Sequence, residues 1–177
     1  MSIAELRNEI PDYGRDIRLN LENVLSEQGA PGLGAYQISV IGLACAYSLG
    51  SAALTQAILA DAQGVLDDTA KESARAAATI MAMNNVYYRS THLLDDAELK
   101  KLPARLRMNV IGKPGVAKSD FELMCFAVSA LAGCGQCLTS HLHELRKAGV
   151  SDEAVQSSLR IASVLNAADR ALKIKEL

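Results

Sequence analysis

The sequence reads as an all-α protein on three grounds. No stretch alternates apolar and polar residues with the period of two that a strand needs, and β-branched residues nowhere cluster as strands require. Half of the residues are apolar, yet only 4% are aromatic and Trp is absent. A core built from Ala, Leu, Ile, Val and Met suits closely packed helices. Helix start and stop signals recur along the whole chain.

Ser2-Ile3-Ala4-Glu5 has the form of a capping box and opens a short helix that must stop near Pro11. A second short helix is expected from about Asp16 to Ser26, ended by Gly29-Ala30-Pro31-Gly32. From Leu33 to about Tyr47 the chain is apolar nearly all round, as a buried helix would be. Gly50-Ser51 punctuates it, and Ala52 to Ala62 continues as another helix. Asp67-Asp68-Thr69 is a helix start with negative charge in the first turn, and the Ala-rich helix it opens runs to Tyr88. Residues Leu102 to Ala117, with Pro103, Gly112, Pro114 and Gly115, read as a connecting loop. Ser119-Asp120-Phe121-Glu122 reads as a second capping box, opening a helix toward Ala132 that Gly133 interrupts. The next helix begins near Cys134 and ends at Ala148-Gly149, and Ser151-Asp152-Glu153 caps the last one.

These signals suggest one domain over residues 1–177 with an internal echo, its halves at roughly 33–100 and 119–177. Shifted by 85 positions, Tyr36-Gln37 falls on Phe121-Glu122, Gly64-Val65 on Gly149-Val150, and Asp67-Asp68 on Asp152-Glu153. Leu49, Ala52 and Gln56 then fall on Cys134, Cys137 and His141, so the first unit lacks the reactive groups.

A net charge of −2 provides no basic footprint for nucleic acid. No basic-then-apolar leader opens the chain, and its apolar runs break well short of a membrane span. The expectation is a soluble, cytoplasmic protein. In such a compartment a CxxC pair is more often catalytic or metal-binding than structural.

That pair is Cys134-Gly135-Gln136-Cys137. At the start of a helix two sulfurs three residues apart can close a small disulfide ring, and the helix N-terminus favours a thiolate. His141 lies four residues beyond Cys137 and so on the same helical face. A thiolate with a proton donor beside it is the minimum for attack on a peroxide or a disulfide.

Zinc is the competing reading, with His143 as the added ligand. Residues two apart on a helix point about 200° apart, so His141 and His143 do not easily close on one ion. Cys45 and Cys125, within apolar runs, read as inert buried thiols. Tyr87, Tyr88, Met81 and Met83 read as packing, His92 as a polar helix end, and His143 as a surface residue. Lys100-Lys101 with Arg105 and Arg107 is a local basic cluster, read as solvated loop. Asn84-Asn85 in mid-helix is unusual, marking a buried polar network or a subunit contact.

Several segments together carry a family resemblance. They are Asn84-Asn85-Val86-Tyr87-Tyr88-Arg89, Leu106-Arg107-Met108-Asn109-Val110-Ile111, Phe121-Glu122-Leu123, and Ala127-Val128-Ser129-Ala130 leading to Cys134-x2-Cys137-x3-His141. On these the chain resembles the alkyl hydroperoxidase D family of the carboxymuconolactone decarboxylase superfamily, over nearly its whole length. The Glu-x11-Cys-x2-Cys-x3-His pattern is the most specific part.

The resemblance implies an all-helical subunit, usually a homotrimer, that reduces organic hydroperoxides and recycles an oxidised peroxiredoxin, alkyl hydroperoxide reductase C. It implies no tightly bound cofactor and no metal. Electrons would come from the dihydrolipoyl group of a dihydrolipoamide acyltransferase, kept reduced by dihydrolipoamide dehydrogenase and NADH. Cys137 would be the attacking thiolate, forming a sulfenic acid or an interchain disulfide with the peroxiredoxin. Cys134 would be proton donor and resolving thiol, and Glu122 and His141 the proton relay.

Gln136 stands where family members often carry His, and an amide cannot titrate. Glu122 faces a geometric obstacle, because twelve residues of unbroken helix would hold it about 18 Å from Cys134. A chain reversal, or a neighbouring subunit, must bring it in. The alternatives are a superfamily decarboxylase, against which the dithiol argues, and a non-catalytic thiol sensor or zinc module.

Overall fold

The computed structural model describes residues 1–177 and contains helices and no strand. The helices are α1 (Ile3–Asn8), α2 (Arg15–Val24), α3 (Ala35–Leu49), α4 (Ala52–Asp61), α5 (Asp68–Leu94), α6 (Ala97–Lys101), α7 (Asn109–Gly112), α8 (Lys118–Ala132), α9 (Gly135–Lys147) and α10 (Asp152–Lys175). A 3-10 turn, Asp12–Gly14, leads into α2. No helix is long and apolar enough to cross a membrane.

Caps fix most of these boundaries. Ser2 and Glu5 form the expected capping box, and Asp67 and Ser151 accept from the N–H groups of Ala70 and Ala154. Three expectations need correcting. Helix α5 runs past Tyr88 to Leu94, where the Arg89 side chain donates to the Ala132 carbonyl at 2.6 Å and ties it to the end of α8. The 102–117 connection holds the short α7, with Ser73 donating to the Pro114 carbonyl at 2.5 Å. Helix α8 begins at Lys118 behind Ala117 and has no side-chain cap, so Ser119-x-x-Glu122 is not a capping box.

The core is where α3, α5, α8 and α10 pack on one another. Residues 121–129 of α8 are all buried, so this helix has no solvent face there. Phe121, Leu123 and Met124 fill the space against Ile41 and Leu43 of α3 and Ile161 of α10. Each such side chain, removed from water, contributes roughly 1.5–3 kcal/mol. Ala70, Ala74, Ala77 and Ala78 give α5 a slim inner face that lets it approach its neighbours closely.

Three consecutive helices stand in each of the expected halves, α3-α4-α5 and α8-α9-α10, but their turns are not spaced by a constant 85 residues. The left-handed C-caps Gly50 (φ 64°) and Gly133 (φ 65°) stand 83 residues apart. The 85-residue offset holds only at the later turns, Gly64 (φ 79°) and Gly149 (φ 77°). Counted by the 83-residue spacing of Gly50 and Gly133, Cys134, Cys137 and His141 align in sequence with Ser51, Leu54 and Ile58.

Candidate active site

Glycine at position 133 is the hinge of the site. Its positive φ, which a Cβ would penalise, ends α8 and turns the chain back along it as α9. Cys134 becomes the N-cap of α9, and its sulfur accepts from the Cys137 N–H at 3.3 Å. The N–H groups and dipole of the helix end thus act first on Cys134. Cys134 and Cys137 form a disulfide with their Cα atoms 5.3 Å apart. The two sulfurs are not equally accessible: Cys134 is 0% exposed, whereas Cys137 is 5% exposed and opens onto a cleft.

The same reversal answers the obstacle at Glu122. Running back along α8, α9 carries His141 to Glu122 of the same chain, nineteen residues away, and Nδ1 lies 2.6 Å from Oε2. Both are buried, at 8% and 3% exposure. Glu122 is the one charged residue in the buried run of α8, and a carboxylate out of water needs such a partner. With the Nδ1 proton donated to the carboxylate, Nε2 is left free to exchange a proton elsewhere.

The cleft, of about 470 Å³, is lined by Cys137, His141 and Glu122, with Asn84 among the other side chains. Met81, Tyr88, Met108 and Ile111 make it partly apolar. Lys118 and Glu144 also line it, paired at 3.1 Å, and the Lys118 hydrogen bond and charge hold the Glu144 carboxyl below its ordinary range. Gln136, exposed, contributes an amide.

Lys118, Glu144 and Ser140 escaped the sequence reading. Positions 137, 140, 141 and 144 share one helical face, and that spacing was the available signal for two of them. His143 and His92 are exposed. No group of three or more His, Cys, Asp or Glu side chains converges as a metal site. Cys45 and Cys125 are fully buried; burial pushes the Cys45 thiol up to about 12 and raises that of Cys125, with the Glu122 charge adding to the latter. Lys100 and Lys101 pair locally with Asp95 and Glu98.

Relatives share this chain almost end to end. Proteins named alkyl hydroperoxide reductase AhpD are 51% identical in Hyphomonas neptunium, covering 97% of this chain and 94% of the relative. One from Coxiella burnetii is 47% identical, with 90% of each covered. The chain belongs to the AhpD family. A Brucella suis AhpD is 45% identical over 98% of this chain and 97% of its own. The model of the carboxymuconolactone decarboxylase family matches residues 97–176, from α6 to the end of α10, and so takes in the CxxC helix. Membership agrees with the all-helical architecture and with the CxxC disulfide that the fold presents to the cleft.

Proposed function

We propose that this chain is an alkyl hydroperoxide reductase that works through the Cys134–Cys137 dithiol. The names of its relatives point to that chemistry, and one observation carries it into mechanism: a disulfide opens onto a cleft beside a buried His141–Glu122 pair. In the reduced enzyme the Cys137 thiolate attacks one oxygen of the peroxide. The O–O bond breaks, the alkoxide leaves and takes a proton to become the alcohol, and the sulfur keeps the other oxygen as a sulfenic acid. His141, backed by Glu122, supplies and recovers the proton. The Cys134 sulfur then attacks Cys137, the S–S bond forms, and the oxygen departs as water.

Reduction reverses the disulfide at the expense of an external dithiol, for which we propose the dihydrolipoyl group of a dihydrolipoamide acyltransferase. No tightly bound cofactor is invoked. Because Cys134 is fully buried, the incoming thiolate attacks Cys137, giving a mixed disulfide that the second lipoyl thiol resolves. The same sulfur would attack the disulfide of an oxidised peroxiredoxin and so recycle it. Val86, Leu93, Leu94, Leu99 and Leu102 are exposed along the end of α5 and α6, which supports association of subunits, proposed here as a homotrimer.

The test is NADH consumption with lipoamide, dihydrolipoamide dehydrogenase and an organic hydroperoxide. The wild type turns over and Cys137→Ser does not. Turnover surviving that change refutes the nucleophile assignment, and stoichiometric zinc with peroxide-insensitive thiols refutes the enzyme reading.

A further inference from the structure

Asn84 and Asn85 stand in the middle of α5, where Asn is a modest helix former, and both side chains are buried. Consecutive helical residues point about 100° apart, so the two face different surroundings. Asn85 turns to α8, its Nδ2 donating to the Val128 carbonyl at 3.5 Å. Asn84 shares the cleft face of α5 with Met81 and Tyr88, three residues before it and four after.

Its backbone carbonyl oxygen lies 4.0 Å from the Cys137 sulfur. In the disulfide that sulfur has no proton to give, so this is a contact and not a hydrogen bond. The side-chain Oδ1 is buried with no partner at all. A buried amide oxygen left unpaired is destabilising; the Asn85 Oδ1 is also without a partner, but only Asn84 belongs to the cleft that holds Cys137.

The surroundings narrow that use. The titratable groups lining the same cleft are Glu122 and Lys118 of α8, His141 and Glu144 of α9, and Tyr88 of α5. Glu122 is engaged by His141, Glu144 by Lys118, and the Tyr88 hydroxyl by the Met108 sulfur at 4.0 Å. Asn84 alone among the cleft residues has a buried polar atom to spare. Breaking the disulfide gives the cleft a new hydrogen-bonding group, the Cys137 thiol or thiolate, whose sulfur lies 4.0 Å from the Asn84 backbone oxygen. A primary amide suits a sulfur whose charge changes through a cycle. It offers N–H to a thiolate and C=O to an S–H or sulfenic O–H, exchanging them by rotation and never titrating itself.

We propose that Asn84 is a positioning residue for Cys137, its side-chain amide becoming the hydrogen-bond partner of that sulfur in the reduced enzyme and favouring the thiolate. This rests on Cys137 being the attacking thiol, but the test does not depend on turnover.

In a Cys134→Ser background, Cys137 is titrated by its thiolate absorbance and by the pH dependence of its alkylation with iodoacetamide. The buried Cys45 and Cys125 stay silent in this range. Asn84→Leu should raise the apparent pKa of Cys137 by about one unit, a roughly tenfold loss of alkylation rate below it. Asn84→Asp keeps the shape but brings a negative charge, and should raise the pKa at least as far; it decides the matter if the Leu variant does not fold. Asn85→Leu, aimed at α8, should lower the melting temperature and leave the titration where it was. An unmoved pKa in the folded Asn84 variants, or an equal shift in Asn85→Leu, overturns the proposal. Failure of the peroxidase reading would show separately, as a wild type that does not turn over peroxide with dithiol; failure of the nucleophile assignment would show as turnover persisting in Cys137→Ser.

Discussion

Replacing Glu122 by Gln tests the proton relay with the least disturbance of shape. The carboxylate meets His141 Nδ1 at 2.6 Å in a site where both partners are buried, the conditions under which a charge-assisted hydrogen bond is strong. Such a bond contributes about 1.5–3 kcal/mol. Gln can still accept from the imidazole and hold its orientation, but it cannot stabilise positive charge on the ring. If that stabilisation is felt at the transition state, the rate should fall by roughly ten- to hundredfold. The chain has no Trp to report the step by fluorescence, so the lipoamide-coupled NADH assay under saturating reductant is the suitable measurement. Thermal unfolding of the same samples should shift by only a few degrees, at about 2–4 °C per kcal/mol for a domain of this size. A Glu122→Gln enzyme within about twofold of wild type, folded and saturated, would refute the relay, since an effect that small is worth under about 0.5 kcal/mol.

Cys134→Ser treated with one equivalent of peroxide should hold a sulfenic acid on Cys137 that dimedone captures as a mass adduct, and Cys137→Ser should capture none. In the reduced native protein, a thiol reagent should modify Cys137 and then Cys134, leaving Cys45 and Cys125 untouched until denaturant is added; early labelling of either would contradict the packing. The Glu144 carboxyl should titrate below its ordinary 4.5, chiefly through the Lys118 hydrogen bond. Because that pKa is depressed, the pair stabilises above the ordinary value and its contribution disappears as pH falls through the lowered one. Lys118→Ala should return the carboxyl toward 4.5 in an NMR titration; a wild-type carboxyl already at that value would show the pair to be absent in solution.

Local chemistry made much of the helical scaffold readable. Ser2, Asp67 and Ser151 announce their helices by side chains that bond within three residues, and the breaks at Gly50, Gly133 and Gly149 need only their own φ. The Cys137–His141 face followed from the 3.6-residue period alone. Glu122 shows where such reading stops. Its local pattern is that of a capping box, and nothing within four residues distinguishes a carboxylate that caps from one turned inward to a histidine on the next helix. The clue was available but longer in range: a single charge inside the apolar run 121–129 demands a partner. Asn84 was legible as an oddity and not as a neighbour of Cys137, because the approach of α5 to α9 is set by tertiary packing. The register of the repeat was lost for a related reason. Glycines at the turns set the spacing, and Gly50 to Gly64 spans 14 residues where Gly133 to Gly149 spans 16, because α9 is longer than α4.

The burial of Cys134 has a kinetic corollary. With one sulfur shut away, the oxidising and the reducing substrate take turns at a single atom in a single cleft. The proposed cycle is therefore ping-pong, with parallel double-reciprocal plots when peroxide is varied at several fixed dithiol concentrations. Each partner then has a dead-end form to occupy: a bulky thiol lodged in the cleft of the reduced enzyme excludes peroxide, and the product alcohol lingering after oxidation delays the reductant. Throughput would depend as much on how fast the cleft empties as on how fast its sulfur reacts.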